Sequence, residues 1–409
     1  MRKVMGSLIM AAALCWLCGC CPTRVCVNPS SAFPGVSAGS ASTLAPLRTQ
    51  TGEALSESIR ASVRRAGSKP MNVLVLSGGG QYGAFGAGVL NGLAARPDQP
   101  NLSFDIVTGI STGSLQATFA FLGPEFYSLM EEAYTGVTQE DIIRKRSLFS
   151  LLCASSLMDA SPLRSLIERY ITMEVLNRVA DAHESGRQLY VGTVNLDTGE
   201  FVSWNLSQIA SRRTAEALRL YHDVLMAATA IPVVFPPVLL SQETAPGVVS
   251  RTLHTDGGVR EIVFFRQFML GLKKAIEFES FRSDPSRPIA GLNQATMTLI
   301  VNGKLGVASE CTQERFLSVG LRSLSALTDQ SSLNAVFRAY ALACASGISF
   351  RMARIPDDFE VPVSSWTFDT EAMKALFNLG KSMALSDPIP WEARPPTGED
   401  IDALCDNRE

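Results

Sequence analysis

From residue 71 onward, the apolar positions of this chain alternate between short continuous runs and helical stripes. Asn72 to Leu76 is an apolar run of strand length, and Gly83 to Ala95 carries a helical stripe. Phe104 to Thr108 is a second strand and Thr112 to Phe121 a second helix. Each strand passes to its helix through a glycine turn, and that repetition predicts a mostly parallel sheet flanked by helices. Gln188 to Val194 and Glu200 to Trp204, joined by Asn195 to Gly199, predict a hairpin. Val248 to His254, Met297 to Val301 and a less regular Ile348 to Arg354 add strands. Helical patterning covers Pro162 to about Val179, Gln208 to Ala230 and Phe316 to Ala345. No internal repeat and no Pro-rich break follows Met71, so the pattern predicts one α/β domain.

The N-terminus follows another rule. Met1-Arg2-Lys3 is basic, Val4 to Leu17 is almost wholly apolar, and small residues and cysteines come next, as in an export signal. The apolar run is shorter than the roughly 20 residues a spanning helix needs. Leu17-Cys18-Gly19-Cys20 resembles a bacterial lipobox, which implies a signal peptide over residues 1–19 and lipidation of Cys20. An ordinary cysteine-rich secretory signal is the alternative. Acyl chains on Cys20 would anchor the protein to a membrane surface. Cys21 after the acceptor, in place of Asp, resembles the sorting signal for the outer membrane of a bacterial envelope. Residues 20–70 are rich in Pro, Ser, Ala, Thr and Gly and read as a flexible tether, with a short helical stretch near Glu53 to Arg65.

Composition removes several function classes. The 409 residues are 46% hydrophobic, enough for a large core, and the net charge of -3 provides no basic field for nucleic acid. Of the nine cysteines, Cys153, Cys311, Cys344 and Cys405 lie singly in the body, without metal-ligand spacing. Buried free thiols are the expected state for these four. No metal or organic cofactor is implied.

Three motifs carry candidate chemistry: Gly78-Gly79-Gly80-Gln81-Tyr82-Gly83, Gly109-Ile110-Ser111-Thr112-Gly113 and Asp256-Gly257-Gly258. The first also fits a dinucleotide fingerprint. That reading requires an acidic residue closing the next strand, whereas Phe104 to Thr108 runs into the Ser111 turn and Asp105 lies at the strand's beginning. No Lys-Ser/Thr follows the glycines, so a phosphate loop fails as well. A glycine turn at a helix N-terminus remains, with Gly78, Gly79, Gly80, Gln81 and Gly83 as candidate donors to an oxyanion. In the second motif, glycines flank a serine where a strand must turn abruptly into a helix, which exposes Ser111 as a nucleophile.

A serine needs a base, and the chain has three histidines: His183, His222 and His254. No histidine follows His254, so a Ser, Asp, His order requires Asp197 or Asp223 with His254. The other choice is Asp256 acting on Ser111 directly, which depends on burial raising a carboxylate pKa.

Together these motifs resemble the patatin-like phospholipase family over roughly Val73 to Phe264. The resemblance implies a three-layer α/β fold and a lipid acyl hydrolase working by a Ser-Asp dyad, with Ser111 as nucleophile, Asp256 as base and the glycine run as oxyanion loop. Val194 to Gly199 and Ala227 to Pro237 are similar to other recurring stretches of the family. Tyr82 departs from it, standing where Arg or Lys is usual. The resemblance implies a catalytic core over residues 71–265. Residues 266–409 are read as part of the same α/β domain with no assigned chemistry. The implied partner is a membrane lipid or lipid-like acyl ester. A non-catalytic lipid-binding or assembly protein is the alternative, motivated by Tyr82 and the C-terminal third.

Overall fold

A computed structural model describes residues 59, 62, 70–99, 102–147, 154–245, 248–264, 295–306, 311–360 and 365–396. The expected signal peptide, Cys20 and nearly all of the tether lie outside these residues. Three positions of the expected tether are described, Ile59, Ser62 and the exposed Pro70. Ile59 is buried with Met71, Val336 and Ala343 in one apolar cluster, and the Ser62 hydroxyl donates to the Gly186 carbonyl at 2.8 Å.

Ten strands occur among the described residues: β1 Asn72–Leu76, β2 Ile106–Gly109, β3 Arg144–Lys145, β4 Met158–Asp159, β5 Gln188–Asn195, β6 Phe201–Asn205, β7 Val238–Ala245, β8 Val248–Asp256, β9 Thr296–Val301 and β10 Ser349–Arg354. β3 and β4 form a short separate ribbon. The other eight form one sheet in the order β10-β9-β1-β2-β5-β8-β7, with β6 on the free edge of β5. β10, β9, β1, β2 and β5 are mutually parallel, and the antiparallel pairs are confined to the β5, β6, β7 and β8 end. The result is the expected α/β architecture with a mostly parallel sheet. β9 and β10 come from the C-terminal third, so that part of the chain supplies one side of the same sheet.

The helices are α1 Gly83–Ala94, α2 Thr112–Leu122, α3 Tyr127–Thr135, α4 Gln139–Ile142, α5 Ser161–Tyr170, α6 Met173–Glu184, α7 Leu206–Ala210, α8 Ala215–Ala228, α9 Phe316–Ala345 and α10 Thr370–Leu385. The stripe from Pro162 to Val179 is two helices, because the Thr172 hydroxyl accepts from Val175 N–H and caps a new start. The stripe from Gln208 to Ala230 divides in the same way: Arg213 adopts φ 52° and Thr214 caps α8.

Two apolar clusters cover the sheet's faces. One joins Leu74, Leu76 and Val107 to α1, α2, α8 and α10, and the other joins Val73, Val75 and Leu299 to α9 and Phe264. α10 crosses α1 at backbone contact distance. A Cβ on Gly88 would lie 2.0 Å from the Phe377 carbonyl oxygen, and one on Gly380 would lie 2.1 Å from that of Phe85. Only glycine permits this approach. It fixes the segment just before α10 above the glycine run at the end of β1.

Candidate active site

The site grows from one edge of β5. β2 pairs with the first half of that edge and stops at Gly109, opposite Val191. β8 takes up the same edge beyond it, with Asp256 opposite Thr193. The turn leaving β2 and the end of β8 are thereby brought face to face.

Ser111 occupies the first of these turns, with φ 52° and ψ −126°, at the N-terminus of α2. The motif glycines are required by space. A Cβ on Gly109 would lie 2.4 Å from the Gly113 carbonyl oxygen, and one on Gly113 would lie 2.5 Å from that of Leu76. The helix start is therefore pressed against the ends of β1 and β2, and the serine is pushed into backbone space that L-residues rarely enter.

Asp256 is buried, and its carboxyl lies near enough to the Ser111 side chain for the serine to pull its pKa down. Gly258 N–H donates to its Oδ1 at 2.7 Å, and Asp256 N–H is tied to the Ala230 carbonyl at 3.0 Å. The Ala227 to Pro237 stretch thus holds the strand end that carries the carboxylate. Burial pushes the carboxyl pKa up to about 6, against the opposite pull of Ser111 and of the hydrogen bond from Gly258.

The histidines are engaged elsewhere. His254 Nδ1 pairs with the Thr193 hydroxyl at 2.9 Å and Nε2 with the Thr252 hydroxyl at 2.9 Å. Trp204 Nε1 also donates to Thr193, and its ring meets the imidazole edge-on. Burial pulls the His254 pKa down to about 4, so the ring is neutral near pH 7. His183 Nδ1 faces the Ser207 hydroxyl, and His222 Nε2 faces the Ile171 carbonyl. Asp223 pairs with Arg164, and Asp197 accepts from Leu253 N–H. Asp197 lies close enough to His254 to raise its pKa, but the two ring nitrogens of His254 meet threonines and not Ser111.

The structure narrows the expected set of oxyanion donors. Gly78 N–H donates to the Ile262 carbonyl, Gln81 N–H to that of Ser365, and Gly83 N–H to those of Gln81 and Gly80. These three amides are spent on the fold. Gly79 and Gly80 N–H make no hydrogen bond among the described residues, and both residues line the cleft that contains Ser111 and Asp256. Their conformations, at φ 155° and 55°, favour glycine. A Cβ on Gly79 would lie 1.8 Å from the Asn302 carbonyl oxygen, and one on Gly80 would lie 2.1 Å from that of Ser365. Gln81 serves through its side chain instead. Its Nε2 donates to the Thr367 hydroxyl and its Oε1 accepts from Asp369 N–H, clamping the segment before α10 onto the glycine run.

Sequence reasoning missed Asn302, at the end of β9. It is 1% exposed. Its Nδ2 donates to the Ser77 carbonyl at 2.9 Å and to Gln116 Oε1 at 3.2 Å, its Oδ1 accepts from Gly86 N–H at 3.1 Å, and its own N–H donates to the Ser77 hydroxyl at 2.8 Å. One side chain thus joins the glycine run to α1 and α2. The available signal was a polar residue closing an apolar strand at the end of a parallel sheet where sites form. Asn302→Ala leaves several buried groups unpaired and is expected to cost about 3 kcal/mol of stability. Urea unfolding midpoints of the two proteins would measure it; a change below about 1 kcal/mol would show that the network is dispensable.

Ser111 lies where two cavities meet. One is apolar, about 100 Å³, lined among others by Leu115, Phe119, Leu163, Ile167, Leu225 and Phe235. The other, about 670 Å³, is mixed: it holds Asp256, Asn302, Lys304, Arg322, Asp329 and Tyr82 together with apolar Ile262 and Val301. A chain-like apolar group can enter one side and a polar group the other, with the bond between them at Ser111. The cysteine expectation also changes: Cys311 is exposed with a free thiol, and Cys344 is disulfide-bonded.

Residues 74–269 match the family described as patatin-like phospholipase. No curated protein matches the chain. Among solved structures, the crystal structure of VipD from Legionella pneumophila is similar at 11% identity, over 76% of this chain and 67% of that one, with a TM-score of 0.32. A likeness at that level carries no functional information.

Proposed function

We propose, starting from residues 74–269 as a patatin-like phospholipase domain, that this protein hydrolyses fatty-acyl esters through a Ser111-Asp256 dyad. The observation that carries the reading is the buried Asp256 beside a serine in strained backbone, at the junction of an apolar cavity and a larger one that mixes polar and apolar residues. Asp256 takes the Ser111 proton as the oxygen attacks the ester carbonyl. Gly79 and Gly80 N–H, aided by the N-terminus of α2, receive the oxyanion. Collapse of the tetrahedral species expels the alcohol, which takes the proton from Asp256. Water, activated by the same carboxylate, then releases the fatty acid and restores the serine. The apolar cavity suits the acyl chain.

Purified protein is expected to release fatty acid from a phospholipid, with a fluorophosphonate adduct on Ser111 located by peptide mass. Absence of both from folded protein would favour the non-catalytic lipid-binding alternative. His254→Gln separates dyad from triad. A neutral imidazole held between two threonines is structural, so turnover is expected to stay within about tenfold of the parent, far from the roughly 10²–10⁴-fold loss of a general base. A loss equal to that of Ser111→Ala would replace the dyad with a triad.

The proposed place of action is the bacterial envelope, with the outer membrane favoured, through a lipid anchor on Cys20. The N-terminal pattern supports it, and the Cys344 disulfide fits an oxidising compartment. Cys20→Ser should abolish labelling by radioactive palmitate and move the protein from the membrane to the soluble fraction; labelling that persists would place the acceptor elsewhere.

A further inference from the structure

The apolar cavity at Ser111 is closed in part by a residue from well beyond residue 269, where the matched domain stops. Phe368 lies in the segment just before α10 and lines that cavity together with Ser111. It also lines a second hollow, of about 700 Å³, whose wall includes Thr138, Glu140, Thr367 and Asp369. Those four residues are exposed, so the second hollow is open to water. Among the described residues, Phe368 is the one common to both linings. It is therefore the partition between an apolar space beside the nucleophile and the solvent.

The backbone holds this partition under strain. Phe368 adopts φ 48°, a left-handed conformation that a bulky residue rarely enters. Such strain persists where the surroundings over-determine it, and here both flanks are pinned. Gln81 N–H donates to the Ser365 carbonyl at 2.7 Å, its Nε2 donates to the Thr367 hydroxyl at 3.0 Å, and its Oε1 accepts from Asp369 N–H at 2.9 Å. Beyond Phe368, Asp369 accepts from Ala372 N–H at 2.8 Å, and the Thr370 hydroxyl donates to the Val137 carbonyl at 2.9 Å. The bonds that fix Phe368 thus run to the same glycine run that carries the free Gly79 and Gly80 amides. The size of the closed space gives the consequence. An apolar cavity of about 150 Å³ holds the six carbons of benzene. At about 100 Å³ the cavity here is two-thirds of that size and holds about four. A longer chain has to push Phe368 aside, and the hollow behind it offers the room.

We propose that Phe368 sets the acyl-chain length this protein accepts, closing the cavity after about four carbons so that longer chains enter only when its ring moves into the outer hollow. The inference rests on the hydrolase reading for the placement of the acyl group, but the limit on chain length applies to binding as well as to turnover. Rates of the full chain on p-nitrophenyl butyrate and p-nitrophenyl decanoate test it. The ratio of the two kcat/KM values is the readout, because a loss of folded enzyme lowers both and leaves the ratio unmoved. The parent is expected to prefer butyrate. Phe368→Ala should raise the decanoate-to-butyrate ratio by at least about tenfold, since a single methylene in an apolar pocket is worth about 10–200-fold. Phe368→Trp should lower the ratio. A ratio unchanged in both variants, or a parent that prefers decanoate, overturns the proposal. If no ester turns over in parent or variants, the hydrolase reading falls, and calorimetry with the free acids then decides the partition. Decanoate binding at least about tenfold tighter to Phe368→Ala than to the parent supports it, and equal affinities overturn it.

Discussion

Ser111→Ala is expected to lower kcat on any acyl ester by about 10⁴–10⁶-fold, the range seen when a serine nucleophile is removed and only binding and the oxyanion hole remain. Lipid binding should persist, because the cavities keep their walls. The same position makes a stability prediction. At φ 52° and ψ −126° a residue with a Cβ is strained, and positions of this kind store about 1–3 kcal/mol. Ser111→Gly should therefore be as inactive as the alanine variant yet more stable than the parent, by about 1 kcal/mol or more. Kinetics with a chromogenic ester and urea unfolding of the three proteins decide the matter. Residual turnover near the parent's would exclude Ser111 as nucleophile, and a Gly variant less stable than the parent would exclude strain at the turn.

Asp256→Asn is the second large effect, in opposite directions for activity and stability. Without a base, the acylation rate should fall by about 10²–10⁴-fold. The parent rate should rise with pH through the range around 6, where burial has placed the carboxyl, and level off above it. The stability sign follows from linkage. The folded pKa, about 6, lies above the ordinary carboxylate value of 3.8, so the folded state binds this proton more tightly than the unfolded state does. The favourable contribution is present below pH 3.8 and is lost as pH rises through about 6. A rise of that size corresponds to about 3 kcal/mol against the ionised form. Asp256→Asn should be more stable than the parent at pH 8, and its advantage should shrink toward about pH 4. A difference between the two unfolding midpoints that does not vary with pH would mean that the carboxyl is not strained by burial. Function retained at the expense of stability is the common pattern of such sites.

Much of this arrangement was legible along the chain. β1, β2, α1 and α2 lie close to their predicted bounds, because each is a compact apolar segment closed by a glycine turn. The hairpin of β5 and β6 and the strands β8, β9 and β10 were legible for the same reason. What escaped were elements whose signal is weak or shared. β7 follows two prolines and mixes polar with apolar residues, and α10 is held by glycine contacts with α1 that no local pattern announces. The helical stripes that divide at Thr172 and Thr214 kept their periodicity while a single capping side chain broke the backbone.

The same boundary runs through the site. Local order along the chain is enough to put Ser111 on a tight turn, Asp256 at a strand end before two glycines, and a glycine run at the start of the first helix. Those are requirements of backbone geometry within a few residues. Which carboxylate lies beside Ser111 depends on long-range pairing, on β2 stopping opposite Val191 and β8 taking over the same edge of β5. Packing also left Gly79 and Gly80, rather than the whole glycine run, with their amides, because Ile262 and Ser365 supply carbonyls from distant parts of the chain. It placed Asn302 and Phe368 in the cavity walls beside the serine as well. Hydrogen-bond capacity is a property of each residue, but its use is settled by neighbours that only folding brings near.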